Sequence, residues 1–225
     1  MTHISFSVPV EFEEMPLGAD FDDVWVEIRR RCVRASTATK VEQNELAELA
    51  RTLHKVSRFL DKVGVVYAAD CAHMFEGVPS TGSLAVAVVE FPYGRNADTA
   101  VRGAVRGILQ SRGSEWAGSA IEAPCGPSAV FTGGQAYTVP SVFTPNGEPI
   151  DVLTAQFHAI IPIPAQAGVD GQHMCLLAFA TPNIDHWERC YAPIMVSVLR
   201  SLRFSEEGQT DADAEPTAPG EGRER

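Results

Sequence analysis

Val65-Val-Tyr-Ala-Ala-Asp-Cys-Ala-His-Met-Phe75, then Glu76-Gly-Val-Pro-Ser-Thr-Gly82, then Ser83-Leu-Ala-Val-Ala-Val-Val-Glu-Phe91 is the stretch that decides the fold class. Two runs rich in valine and aromatic residues flank a segment of turn-forming residues, which predicts an antiparallel hairpin with a seven-residue loop over 76–82. Immediately upstream the period is different. Leu46, Leu49, Leu53, Val56, Leu60 and Val63 recur at alternating spacings of three and four, the apolar stripe of an amphipathic helix. Thr39-Lys-Val-Glu42 has the form of a capping box at its start, and Gly64 stands where a left-handed C-cap is expected. A long helix over 41–63 therefore hands over to the first long strand at a single glycine. The stripe is expected to pack on the protein's own sheet. A homodimer joined through this helix would instead leave its leucines exposed.

Other elements extend the pattern on both sides. His3–Phe12 alternates and reads as a strand that Pro9 confines to an edge or an end. Asp20 is placed to cap a helix carrying Asp22 and Asp23 at its start and Arg29, Arg30, Arg31 and Arg34 at its end, each sign where the helix dipole favours it. Ala97–Arg112 is a helix capped by Asn96 or Asp98 and stopped by Gly113. Strands follow near Ser119–Ala123, Ala129–Thr132, Ala136–Val142, Ile150–Ile163 and Met174–Thr181, and a last helix near Ile184–Leu202 is capped by Asn183 or Asp185. Runs of strands kept apart from helices predict an α+β domain, an antiparallel sheet of about six or seven strands flanked by helices. One domain is expected over 1–204, with an N-terminal strand and helices in 1–63 and the sheet and further helices in 64–204. Residues 205–225 form an acidic tail expected to be disordered.

Composition narrows the function. The balance of 18 basic against 29 acidic residues gives −11, and the tail from Ser205 contributes seven acids against two arginines. Such a field opposes binding to nucleic acid or to an anionic membrane surface. No apolar run approaches the ~20 residues of a bilayer span, so no membrane insertion is expected. Met1–Phe12 alternates, unlike an export signal. Cys32, Cys71, Cys125, Cys175 and Cys190 are odd in number and form no CxxC, which suits reduced thiols in a cytoplasm.

Recognisable chemistry is sparse. Cys71/His73, His173/Cys175 and His186/Cys190 each place two soft ligands on one face of a strand or helix, but a structural zinc needs four that converge. Neither a metal nor a cofactor is expected. Cys125, in Ala-Pro-Cys-Gly-Pro-Ser, sits in a turn whose proline and glycine are explained by the turn itself. A nucleophilic role for it would need His158 or His73 nearby. Gly133-Gly134-Gln135 matches the peptide-release tripeptide of translation termination factors, but stands alone in an expected β-turn of an acidic chain. Phosphate-binding loops, HExxH, GxSxG and kinase motifs are absent. No catalytic residue is assigned.

Two further groups of residues carry a resemblance. Gly64-Val-Val-Tyr-Ala-Ala with its following Gly-Val-Pro-Ser-Thr, and Ile161-Pro-Ile-Pro164 through Ala178-Phe-Ala-Thr-Pro182, Trp187 and Tyr191 to Ser201-Leu-Arg-Phe204, resemble a group of uncharacterised actinobacterial proteins. The C-terminal part is also similar to PsbP-like domains, a superfamily that includes a Ran-binding import factor and effector chaperones of type VI secretion. That resemblance implies an antiparallel sheet flanked by helices that binds a protein, with no catalytic residue to carry over. The expectation is a cytoplasmic, non-enzymatic adaptor or chaperone-like domain, secretion-linked by analogy, monomeric or homodimeric, with an unidentified protein partner. Its contact regions are expected near Val130–Val142 and on the helix bearing Trp25, Arg29, Arg30 and Arg31. The alternative is a small-molecule-binding protein or enzyme with a pocket between sheet and helices, using Tyr67, His73, Cys125 or His158.

Overall fold

The computed structural model describes residues 2–34, 43–94, 96–139, 141, 147–164 and 172–206. The capping box at Thr39–Glu42 and the tail beyond Glu206 lie outside the described residues. The fold is α+β. In chain order the elements are β1 (Thr2–Ser5), β2 (Phe12–Glu14), α1 (Phe21–Arg34), α2 (Gln43–Lys62), β3 (Val65–Phe75), β4 (Val78–Glu90), α3 (Ala97–Arg112), β5 (Trp116–Ala123), β6 (Gly126–Val139), β7 (Ile150–Pro162), β8 (His173–Thr181), α4 (Ala192–Ser201) and β9 (Arg203–Glu206). Seven strands form one antiparallel sheet in the order β2-β3-β4-β8-β7-β6-β5, and β1 pairs with β9 in a separate ribbon.

Local chemistry explains most boundaries. Asp20 Oδ1 accepts from the Asp23 N–H, and Asn96 Oδ1 from the Thr99 N–H, so both expected caps form. Gly64 has φ +84°, and a Cβ there would stand 2.6 Å from the Val88 carbonyl oxygen, so only glycine lets the chain pass from α2 into β3.

Four expectations are corrected. The seven-residue loop is a two-residue turn, Glu76-Gly77, with φ of +52° and +82°. Pro79 lies inside β4, tolerated because β8 does not begin pairing with β4 until Ser83. The two short strands around Gly133-Gly134 are one strand, β6. The first strand splits at Pro9 into β1 and β2. Finally, the last helix has neither expected cap. It opens as a 3₁₀ turn (Ile184–His186), passes through a π turn (Trp187–Tyr191) and becomes α-helical only near Pro193.

The main core lies between one sheet face and α4, where Leu84, Val86, Phe157, Ile161, Leu177 and Phe179 meet Tyr191, Met195, Val198 and Leu202. On the opposite face α3 covers β5 and β6 through Val101, Trp116 and Phe131. α1 and α2 pack together through Val24, Ile28 and Ala50.

α2 is rotated from the expected setting. Its fully buried positions are Ala50 and Ser57, each 0% exposed, and Ser57 Oγ donates to the Pro16 carbonyl at 2.5 Å. Leu46, Leu53 and Leu60 are half-buried, whereas Leu49, Val56 and Val63 are 46%, 38% and 44% exposed. The stripe thus splits lengthwise, because close packing of α1 draws small residues to the centre of the contact. Ala50→Leu is expected to destabilise by about 1–3 kcal/mol through overpacking. Leu49→Ala, on the exposed side, is expected to cost under about 1 kcal/mol. Urea midpoints at constant m check both, and the order would reverse if the stripe faced inward as a whole.

Candidate functional site

Cross-strand register defines what lies on the second sheet face. One row across β3, β4, β8 and β7 reads Asp70, Ser83, Ala180, Gln156, and the next reads Ala68, Ala85, Ala178, His158. The rows continue under α3 as Gly133 and Trp116, and as Phe131 and Gly118. Four of the eight residues in the first two rows are alanine. The sheet therefore presents a low floor between α2 and α3. Val56 and Leu60 of α2 and Met15 wall a cavity of about 370 Å³ over this floor. Further along the same face a second cavity, of about 650 Å³, is lined by Val89, Phe91, Met174 and Leu176 of the sheet side and by Gly103 and Gly107 of α3. The two cavities lie in neighbouring rows of one face, at His158–Ala178 and Ile160–Leu176, and we term this stretch between α2 and α3 the trough.

A few polar groups line the trough. Ser83 Oγ donates to Asp70 Oδ1 at 2.6 Å. Gln156 Nε2 donates to Tyr137 Oη at 2.8 Å and to Thr154 Oγ1 at 3.1 Å. His158 packs against Trp116 with the two rings tilted at 54° and their centroids 5.1 Å apart. Burial, with the nearby Arg112 guanidinium, pushes its imidazole below its ordinary 6.5. Among the residues that line the two cavities Asp70 is the one carboxylate, and no lysine or arginine is among them.

The four residues expected to share a pocket do not converge. His158 is on the trough face. Tyr67 is on the other, edge-on to Phe6 at 5.0 Å. Cys125 is buried in the turn between β5 and β6, and burial pushes its thiol up, the reverse of what a nucleophile requires. His73 Nε2 lies 3.6 Å from Cys190 Sγ, but its Nδ1 is buried with no hydrogen-bond partner, so nothing orients the ring as a base. Burial also pushes the Cys190 thiol up.

The α1 group is partly committed to structure. Trp25 stacks on Phe21 and packs against the α1–α2 core. Arg30 forms a bidentate pair with Glu27, and Arg31 bonds Glu27 and the Glu14 carbonyl, which ties α1 to β2. The Arg30 guanidinium, with Arg31 beside it, holds the Glu27 carboxyl down at about 2. Arg29 is exposed.

Two of the histidine–cysteine pairs come together around Tyr191, yet as a hydrogen-bonded chain. Ser80 Oγ lies 2.6 Å from Tyr191 Oη and 2.7 Å from His186 Nδ1, with Cys71 Sγ beyond the tyrosine at 3.9 Å. Ser80 is 1% exposed, out of a substrate's reach, so the cluster fastens the π turn to β4. Asn183 completes the fastening: its Oδ1 accepts from the Thr81 N–H and its Nδ2 donates to the Pro79 carbonyl. Among the described residues no group of three or more His, Cys, Asp or Glu is placed to hold a metal ion, and no helix is long and apolar enough to cross a membrane. Gly133-Gly134-Gln135 lies within β6, where Gly133 faces the Trp116 ring and Gln135 Oε1 accepts from Arg112 at 2.6 Å.

The chain matches no protein-family model and no curated protein.

Sequence reasoning missed the trough because its signal is an absence of bulk. Ala68, Ala85, Ala178 and Ala180 come from three strands, and only the register aligns them. Two pH responses follow from the buried groups. Burial pushes the Tyr191 phenol and the Cys175 thiol to about 12, from ordinary values of 10 and 9. The folded state keeps these protons while the unfolded chain loses them, so stability is expected to fall as pH rises from 9 toward 12. Tyr191→Phe removes the tyrosine share above pH 10. His158 shifts the other way, so stability is expected to fall as pH drops below 6.5 and His158→Gln to flatten that limb. Urea titrations from acid to alkaline pH measure both limbs.

Proposed function

We propose that the protein is a non-enzymatic protein-binding domain, adaptor or chaperone-like, that receives an amphipathic helix of a partner in the trough between α2 and α3. The observation that carries this reading is the floor. Two helices flank a seven-stranded face and leave between them a cavity of about 370 Å³ floored by alanine. The glycines on the trough side of α3 allow close approach. The net charge of −11 disfavours nucleic acid as the occupant. The PsbP-like resemblance rests on the sequence, and a link to secretion rests on that resemblance alone. A cytoplasmic setting is supported by five cysteines carried as free thiols.

A second reading has its own observation. The Asp70–Ser83 and Gln156–Tyr137 groups and His158 converge on a cavity of about 370 Å³, within the range that holds small ligands. Ala178→Phe fills the floor without entering the core on the other face. Affinity capture from the native host is expected to recover one stoichiometric protein with the wild-type chain and to lose it with Ala178→Phe at unchanged melting temperature. Equal capture by both, or by neither, refutes the helix-docking reading. A small molecule seen by native mass spectrometry on the wild type and missing from the variant would establish the second reading instead.

A further inference from the structure

We infer that the protein self-associates as a two-fold dimer through the outer side of α2, with the two helices antiparallel. This goes beyond the trough, with which the proposed surface shares Val56 alone.

α2 carries two apolar seams where a helix of a single domain needs one. The inner seam is Leu46, Ala50, Leu53, Ser57 and Leu60, set against α1 and the sheet. The outer seam is Leu49, Val56 and Val63, seven residues apart, with Phe59 three beyond Val56; all four are exposed, and Val56 at the seam's inner edge also walls the trough. Thr52 takes the equivalent position after Leu49. These are the a and d positions of a heptad seam. Phe59 is 62% exposed, a large aromatic cost to leave in water if nothing covers it.

Charge selects the occupant and its direction. On this side of α2, Glu45 and Glu48 stand in the N-terminal half and Lys55 and Lys62 in the C-terminal half. Antiparallel pairing of two copies sets Leu49 against Phe59, Thr52 against Val56, and Glu48 against Lys62, each twice by symmetry, while Val63 at the end of the seam meets the stem of Glu45. Parallel pairing would bring like ends together. The acidic tail is no rival occupant, because from Ser205 to Arg225 it has no residue of the Val, Leu, Ile, Met, Phe, Tyr or Trp type. Lys55 faces its own copy near the axis, an unfavourable pair. A 20-residue helix is about 30 Å long, and two such helices bury on the order of 1,000 Å², the small end for a specific interface. The dimer is therefore expected in the micromolar range.

Sedimentation velocity on the full chain over a micromolar concentration series tests this. The wild type is expected to move from a 24.3 kDa monomer to twice that mass. Phe59→Lys is expected to hold it monomeric at unchanged melting temperature. Lys62→Glu is expected to weaken the dimer at least about tenfold, and Glu48→Lys with Lys62→Glu to restore it. A non-specific apolar patch would give no such rescue. The inference is overturned by a wild type that stays monomeric, by a dimer indifferent to Phe59→Lys, or by failure of the charge swap. The trough reading would survive each of these results, since it is read from Ala178→Phe and partner capture.

Discussion

The pairing of β4 with β8 is the joint on which the molecule depends. It runs from Ser83 opposite Ala180 to Glu90 opposite His173, and it splices an N-terminal unit, β2-β3-β4, to a C-terminal one, β8-β7-β6-β5. Every other neighbouring pair within each unit is made by strands near in sequence or, for β2, across the two helices. This one closes a loop of more than 80 residues, which makes it entropically the most expensive pairing in the sheet. The polar groups around it are accordingly concentrated at one end. Thr181 Oγ1 donates to the Thr81 carbonyl, Asn183 bonds both Thr81 and Pro79, and Ser80 joins Tyr191 and His186. A slip of one residue would exchange the two faces of a strand and break all of these bonds. The cluster resembles catalytic machinery in its residue types, but its burial and its position at the splice make it a register lock.

Both faces of the joint matter, and they differ in kind. Toward α4 it presents Leu84, Val86, Leu177 and Phe179, which interdigitate into the main core. Toward the trough it presents Ser83, Ala85, Ala178 and Ala180. A strand pair committed to burying large side chains on one face and small ones on the other is stable from one side only. That frees the second face to be shaped by what docks there. The same asymmetry explains why α3 reaches only the far strands: the large residues that hold it, Trp116, Phe131 and Ile160, lie on β5, β6 and β7.

The fold class was legible because it rests on local signals. The change of period at Gly64, the Asp20 and Asn96 caps and the alternation of β7 and β8 are each contained within a short window. What failed locally failed for a tertiary reason. Pro79 reads as loop unless one knows that β8 starts late, and Gly133-Gly134 reads as a turn unless one knows that Trp116 lies across the first glycine. Asn183 reads as a helix cap, yet its side chain serves β4 instead. The site was far less legible. Reactive residue types drew attention to Tyr67, His73 and Cys125, all on the face that α4 covers or buried beside it. The trough is built from alanine, which carries no chemical signal. His158 alone was named in advance, and it lies at the trough's edge.

α2 shows how a periodic stripe can be read correctly and placed wrongly. Six apolar residues at spacings of three and four span an arc wide enough for either of two settings. The setting adopted is fixed by Ala50 and Ser57, the smallest residues beside the stripe, because they allow α1 to come close and let Ser57 bond the Pro16 carbonyl. Once that contact forms, Leu49 and Val63 must turn away from the core and Val56 is left at the rim of the trough. The energy of the α1–α2 contact and the exposure of the outer seam are thus one fact seen from two sides. A helix built only to cover its own sheet would have polar residues at 49, 59 and 63. Their apolar character, joined to a charge order that complements itself only when reversed, is what distinguishes a surface meant to be covered from one left bare by chance.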